Sequence, residues 1–264
     1  MLYFWIFTIF LFGAAIGSFL NVCIVRIPKG ESLIHPGSYC PRCGTKILPR
    51  DNIPILSYLL LLGRCRSCRS RIGLQYPLVE ILTPLLLTSL FLFYRGQSVP
   101  ILLLNFFFFG IFISLLIIVF FIDMKHQIIP DKITYPGILL GILFSLLRSP
   151  NFLASSLLGI FGGGVFLYLV MKLGGWIYKK EVMGGGDVKL ASLLGAFLGG
   201  TGVAISLFLA FLLGSLVGGG FIISGRLQRT SLIPFGPFIV AGGLLTLFFQ
   251  EELILLYNRL VFRF

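Results

Sequence analysis

The chain has 264 residues, of which 57% are hydrophobic and 11% charged, and it carries a formal net charge of +12. Those proportions exclude an ordinary soluble domain. The positive balance is not read as a nucleic-acid footprint, because the basic residues are distributed as membrane topology requires and suit anionic lipid headgroups.

The apolar residues fall into eight runs, many of them close to the roughly 20 residues a helix needs to cross a bilayer: 3–25, 77–94, 101–122, 133–148, 152–173, 187–200, 202–224 and 232–250. The sixth is short and glycine-rich. The expected fold is therefore an all-α polytopic membrane protein of about eight transmembrane helices. Seventeen of the 21 Lys and Arg residues lie in 26–76, 123–132, 172–189 and 226–231, whereas Arg95, Arg148, Arg259 and Arg263 lie on the other side. The crowded side is expected to be cytoplasmic, with both chain ends outside the cytoplasm.

The first transmembrane helix, 1–25, has no basic residue before Arg26 and no small-residue cleavage site, so it is read as an uncleaved span. Gly13 and Gly17, four apart, form a small-residue stripe that lets another helix approach closely. Asn21 and Arg26 stand where this helix leaves the membrane, and read equally as interface anchors or as site residues. Cys23 reads as a packed core thiol.

Residues 26–76 are the one sizeable polar segment. They hold Cys40-Pro41-Arg42-Cys43 and Cys65-Arg66-Ser67-Cys68, with 21 residues between the pairs. Each pair points two sulfurs at one centre, and two such turns complete a tetrahedral four-cysteine shell. A reducing cytoplasm argues against disulfides. A segment this small scarcely buries its own core, so structural Zn2+ supplies stability. A redox role would need a thioredoxin-like βαβ pattern, which is absent. His35 reads as a loop histidine.

Pro77 suits the start of the second span. Glu80, one turn further into apolar sequence, needs a polar partner. It either pairs with an arginine or amide of the first span or lines a second site. The third span ends in Asp123, and Ile129-Pro130 turns the backbone away from helix, so a loop or broken helix is expected after Asp123. His126 reads as incidental, and Asp131 as a cap for the fourth span. Gly162, Gly163 and Gly164 imply close helix contact, because no phosphate-loop context surrounds them.

Met183-Gly184-Gly185-Gly186-Asp187 is a glycine run ending in a carboxylate at a membrane boundary. Read blandly, it is a turn with Asp187 capping the next helix. Read functionally, Asp187 and Asp123 are two carboxylates brought to one membrane face, and an ionisable group at such depth points to function. Such a pair cannot cheaply ionise twice, so it shares a proton and splits into an acid and a base. The base deprotonates water attacking an amide; the acid polarises the carbonyl and later protonates the leaving amine. Lys125 and Lys189, each two residues after an aspartate, point away on a helix and are expected to reach the headgroups instead of pairing with those aspartates. Ile233 to Phe238 forms a broken start to the last span.

At these residues the chain resembles the prepilin peptidases, membrane aspartyl proteases of the GxGD type. Gly17 to Val22 is similar to the family's N-terminal signature, the cysteine pairs to its cytoplasmic zinc element, and Tyr76 to Glu80 to its second-span motif. Asp123, seven residues before Pro130, stands where the family has its first catalytic aspartate, and Gly184-Gly185-Gly186-Asp187 matches the motif carrying the second. The resemblance implies a peptidase core at about 101–250 within the bundle 77–264, with Gly184, Gly186, Lys189 and Pro130 supporting the site. It implies an enzyme of the bacterial inner membrane that removes the basic leader of type IV prepilins or type II secretion pseudopilins at the cytoplasmic face. It further implies that segment 26–76 takes part in methylating the new N-terminus with S-adenosylmethionine, with Asn21, Arg26 and Glu80 as candidates. Gln75 departs from the arginine many members carry, and Arg71 is a possible substitute. The rival readings are a proton- or cation-coupled transporter using Asp123 and Asp187, and a zinc-stapled assembly factor without catalysis. The oligomeric state is left open.

Overall fold

The computed structural model describes residues 1–179, 183–225 and 234–262. Among them the chain forms eight α-helices: α1 (Leu2–Arg26), α2 (Leu56–Leu60), α3 (Gln75–Tyr94), α4 (Val99–His126), α5 (Asp131–Arg148), α6 (Pro150–Tyr178), α7 (Gly185–Ile223) and α8 (Gly236–Phe262). The described residues contain no strand. Six helices, all but α2 and α5, are long and apolar enough to cross a membrane. The fourth apolar run forms α5, whose 18 residues include the charged Asp131, Lys132 and Arg148. The basic loop 226–231, Ile233 and Arg263 lie outside the described residues.

The chain clusters into two compact units, Met1–Ile122 and Asp123–Phe264, the division falling within α4. In the first unit α1 packs on α3 through the glycine stripe. A Cβ on Gly13 would stand 2.7 Å from Pro84 Cα, and one on Gly17 2.9 Å from Glu80 Cα. Backbones this close admit no side chain, which is the contact the spacing of the two glycines implies.

Between α1 and α3 two equivalent turns repeat at a spacing of 25 residues, as Cys40 to Cys65 and Cys43 to Cys68 show. In the first, Cys40 N–H donates to Thr45 O and Gly44 N–H to Cys40 O; in the second, Cys65 N–H donates to Ser70 O and Arg69 N–H to Cys65 O. Gly44 (φ 70°) and Arg69 (φ 57°) take the left-handed backbone that each turn requires. The internal repeat is visible afterwards in the sequence, where Cys-x-x-Cys is followed in each copy, after one intervening residue, by a small hydroxyl residue, a basic residue and isoleucine.

In the second unit α7 is a single 39-residue element only by hydrogen-bond continuity, since Gly199 inside it has φ 73° and ψ −176°. A Cβ on Gly163 of α6 would stand 3.2 Å from Ala191 O and 2.7 Å from Val203 Cγ2. In an unbroken helix those two residues would lie about 18 Å apart along the axis. The chain therefore doubles back at Gly199, and the sixth and seventh apolar runs are the two arms of α7. Of the three glycines in α6, Gly163 and Gly164 make the close contacts expected of them. Gly162 meets nothing within 4 Å, because it faces away from α7.

Candidate active site

Asp123 lies in the last turn of α4, which continues through His126. The loop expected after Asp123 follows at 127–130, one turn on, because Pro130 restricts only the residue before it. Asp187 is the third residue of α7, whose N-cap is Gly184. Its carboxylate takes a hydrogen bond from the backbone N–H of Gly184. That is half of a capping box, so the cap reading of Asp187 holds locally. The two carboxylates nevertheless come together in one unit. Asp123 is 5% and Asp187 7% exposed, and the charge of Asp123 acts on Asp187.

The backbone amide of Gly236, the first residue of α8, hydrogen-bonds to the Asp123 carboxylate. A Cβ there would stand 2.5 Å from Asp123 Oδ2 and 3.3 Å from Ile129 Cδ1. The free N–H groups that open a helix suit an anion, and here they meet a side-chain carboxylate. Ile129 also closes on the glycine run, its Cβ lying 2.8 Å from where a Gly186 Cβ would be. Gly185 meets nothing within 4 Å. Pro130, extended at φ −70° and ψ 133°, is the N-cap of α5 and directly follows Ile129.

Lys189 Nζ lies 2.6 Å from Asp131 Oδ1 and 5.2 Å from the Tyr135 ring centroid. As its spacing implied, it does not pair with the buried aspartates; it does not extend free to the headgroups either. Asp131 makes no side-chain cap on α5, whose N-cap is Pro130; it stands in the first turn, where a carboxylate suits the helix start. His126 is exposed.

In the first unit, the thiols of Cys40, Cys43, Cys65 and Cys68 all lie within 4.8 Å of one another. The donor set and its convergence fit one tetrahedral Zn2+. The Cys40 thiol is pulled from an ordinary 9.0 down to about 6, first by the backbone N–H of Cys43, and Cys68 is lowered by the Ser70 hydroxyl. Thiolates are the form that binds metal, so Cys40 and Cys68 favour the ligand state, whereas the Cys65 thiol is raised.

Of the other candidates in this unit, Asn21 is 2% exposed and donates to Tyr76 O at 3.0 Å, while its Oδ1 has no partner. Arg26 is 6% exposed and donates to the carbonyls of Ser32 and Gly37. It is not a headgroup anchor; it organises the start of the insertion. Glu80 accepts the backbone N–H of Ile55 at 2.8 Å and bonds the Ser18 hydroxyl. The partner expected from the first span is therefore a hydroxyl, not an arginine or amide, joined by a second donor from the insertion. Buried Gln75 Nε2 has no partner, and Arg71 is exposed.

Sequence reasoning missed Gly236 as a neighbour of the Asp123 carboxylate and Ile129 as a neighbour of both glycines beside the pair. The one signal for the first was the Pro234-Phe235-Gly236-Pro237 break.

Residues 110–219 match the type IV leader peptidase family, and residues 11–94 match the bacterial peptidase A24 N-terminal domain. The chain is 35% identical over 276 residues to the prepilin leader peptidase/N-methyltransferase of Aeromonas salmonicida, covering 93% of this chain and 91% of that protein. Proteins of the same name from Pseudomonas aeruginosa and Bacillus subtilis are each 34% identical, covering 92% and 96% of this chain and 90% and 97% of theirs. No solved structure matches.

Proposed function

Because the chain belongs to the type IV leader peptidase family, we propose that Asp123 and Asp187 are the catalytic pair of this membrane protease. The observation that carries the reading is the delivery of two buried carboxylates, from the end of α4 and the start of α7, into one compact unit. The substrate is the basic leader of a type IV prepilin or pseudopilin, cut at the cytoplasmic face of the inner membrane. The excess of Lys and Arg in the loops next to both aspartates supports that sidedness. The peptidase core is 101–250, and the segment 26–76 serves the second activity, N-methylation of the new terminus.

The ionised member of the pair takes a proton from water as its oxygen attacks the scissile carbonyl carbon. The protonated member donates to the carbonyl oxygen as the tetrahedral adduct forms. Collapse of the adduct breaks the C–N bond, the leaving amine takes a proton from the pair, and the starting protonation returns. The Gly236 and Gly184 amides hold the two carboxylates in orientation. Gly184 and Gly185 let an extended substrate backbone approach, Gly185 being the open position, while Gly186 makes room for Ile129. Pro130 and Lys189 support the site from outside, through Ile129 and Asp131.

Cys40, Cys43, Cys65 and Cys68 would hold structural Zn2+, which ties the two turns of the insertion into one body. S-adenosylmethionine supplies the methyl group. Among the three candidates for that activity, Arg26 and Glu80 are engaged in building the insertion, which leaves Asn21 with a free buried acceptor.

The test is leader removal from a model prepilin in liposomes by wild type, Asp123→Asn and Asp187→Asn, read by mass spectrometry with and without S-adenosylmethionine. Each substitution should cost about 100-fold or more in rate, as loss of a general acid or base does, with the fold intact. Wild type should add a methyl mass when the donor is present. Cleavage by either variant at the wild-type rate would remove the pair from the mechanism and restore the transporter reading.

A further inference from the structure

The insertion between α1 and α3 exposes leucines that neither the protease nor the metal site uses. Leu56, Leu59, Leu60 and Leu62 are 56%, 62%, 80% and 84% exposed, and all lie on or beside α2. Two left-handed residues bracket the patch, Ile55 at φ 64° and Leu62 at φ 51°. That backbone is sterically unfavourable for branched side chains and persists only where surrounding contacts impose it. The contacts are visible: Ser57 Oγ accepts from Ile53 N–H and donates to Arg50 O, and Glu80 takes the amide of Ile55. The leucines are thus held outward by their own scaffold.

The Ile55–Glu80 bond also sets their level. Glu80 is the sixth residue of α3, about 8 Å from the start of the helix, and it packs on Gly17 well inside α1. The start of α2 therefore lies beside the second turn of α3 and, through it, the second half of α1. The patch continues onto α3 through Leu74 and Leu78, 69% and 54% exposed. Exposed Arg64, Arg69 and Arg71 follow the first four leucines in the chain, and no acidic residue occurs between Asn52 and Val79. Arg66 is already paired with Asp51 at 2.6 Å and is not part of this rim.

We propose that α2 and its flanking turns dock on the lipid bilayer, with the leucines in the headgroup–acyl boundary and the arginines on anionic lipid phosphates. An interfacial element needs both an apolar face at membrane level and a basic rim, and this one has both. A second copy of the same face would set arginine against arginine, which disfavours self-association as the means of covering it. The inference is independent of the peptidase reading.

The experiment places one tryptophan at Leu60 in full-length protein whose Trp5 and Trp176 are replaced by phenylalanine. The protein is reconstituted in phosphatidylcholine/phosphatidylglycerol vesicles with and without shallow brominated lipid. Leu60→Trp should lose most of its emission to the bromines, and Arg42→Trp, on the cysteine turn, should lose little. Leu62→Trp repeats the measurement if the first variant does not fold. Equal, weak quenching at Leu60 and Arg42 would overturn the proposal. So would protection of Leu60→Trp from aqueous iodide that grows with protein density without lipid quenching, which would assign the patch to a second copy.

Discussion

The carboxylate of Asp123 is held by the backbone amide of Gly236, and the missing side chain of that glycine is what lets the two meet. A methyl group there would stand 2.5 Å from Asp123 Oδ2, closer than real Cβ atoms come. Gly236→Ala should therefore displace the carboxylate and lower the rate of leader cleavage by about 100-fold, the scale of a misplaced reacting group. Gly214→Ala is the control, since its nearest neighbour would be 3.5 Å away. Equal rates for the two variants would show that the amide does not position Asp123.

Gly186 and Ile129 make a second such contact, and it has a specific rescue. Gly186→Ala should destabilise the site by about 1–3 kcal/mol, as overpacking does. The conflict is with Ile129 Cβ at 2.8 Å, an atom that Ile129→Ala retains. The second substitution that restores activity to Gly186→Ala should accordingly be Ile129→Gly and not Ile129→Ala. Rescue by both would mean that the γ and δ carbons of Ile129 set the limit.

The Lys189–Asp131 pair is mostly solvent-facing, with side chains 32% and 55% exposed. Exposed pairs contribute about 0–1 kcal/mol. Lys189→Met should lower thermal stability slightly and leave cleavage within about tenfold of wild type, the equivalent of 1.4 kcal/mol. A loss as deep as that of Asp187→Asn would make Lys189 part of the chemistry.

The cysteine turns carry a pH dependence with a definite sign. Cys40 is lowered from 9.0 to about 6, so its thiolate contributes stability that is fully present above pH 9 and declines as pH falls through about 6. Zinc added to the purified protein should be retained at pH 8 and released progressively as the pH drops through that window, with melting of the insertion alongside. Zinc affinity that does not fall at all between pH 8 and pH 5 would contradict a thiolate site, since its ligands must lose protons to bind. Cys40→Ser should weaken retention at every pH.

Much of this was legible in the residues. Runs of apolar sequence specify helices because a membrane span must satisfy its backbone hydrogen bonds within itself, and six such helices appear in the described structure. The Gly13–Gly17 stripe signalled a close neighbour, though not that α3 would fill it. The four cysteines signalled a single centre through their spacing alone, and the structure gathers their thiols within 4.8 Å. The short sixth run hinted at a break, but only the positive φ of Gly199 revealed that α7 turns back on itself.

The sequence by itself determined which segments are apolar, which groups cannot stay unpartnered among them, and the family to which the chain belongs. All three follow from local composition and short spacings, since partition into lipid and helix formation act over about 20 residues. Tertiary structure alone decided who meets whom. Lys189 found Asp131 across 58 residues, Glu80 found Ile55 across 25, and Asp123 found the first amide of α8. No local pattern encodes those choices, because each depends on how whole helices pack and on which backbone donors their ends leave free.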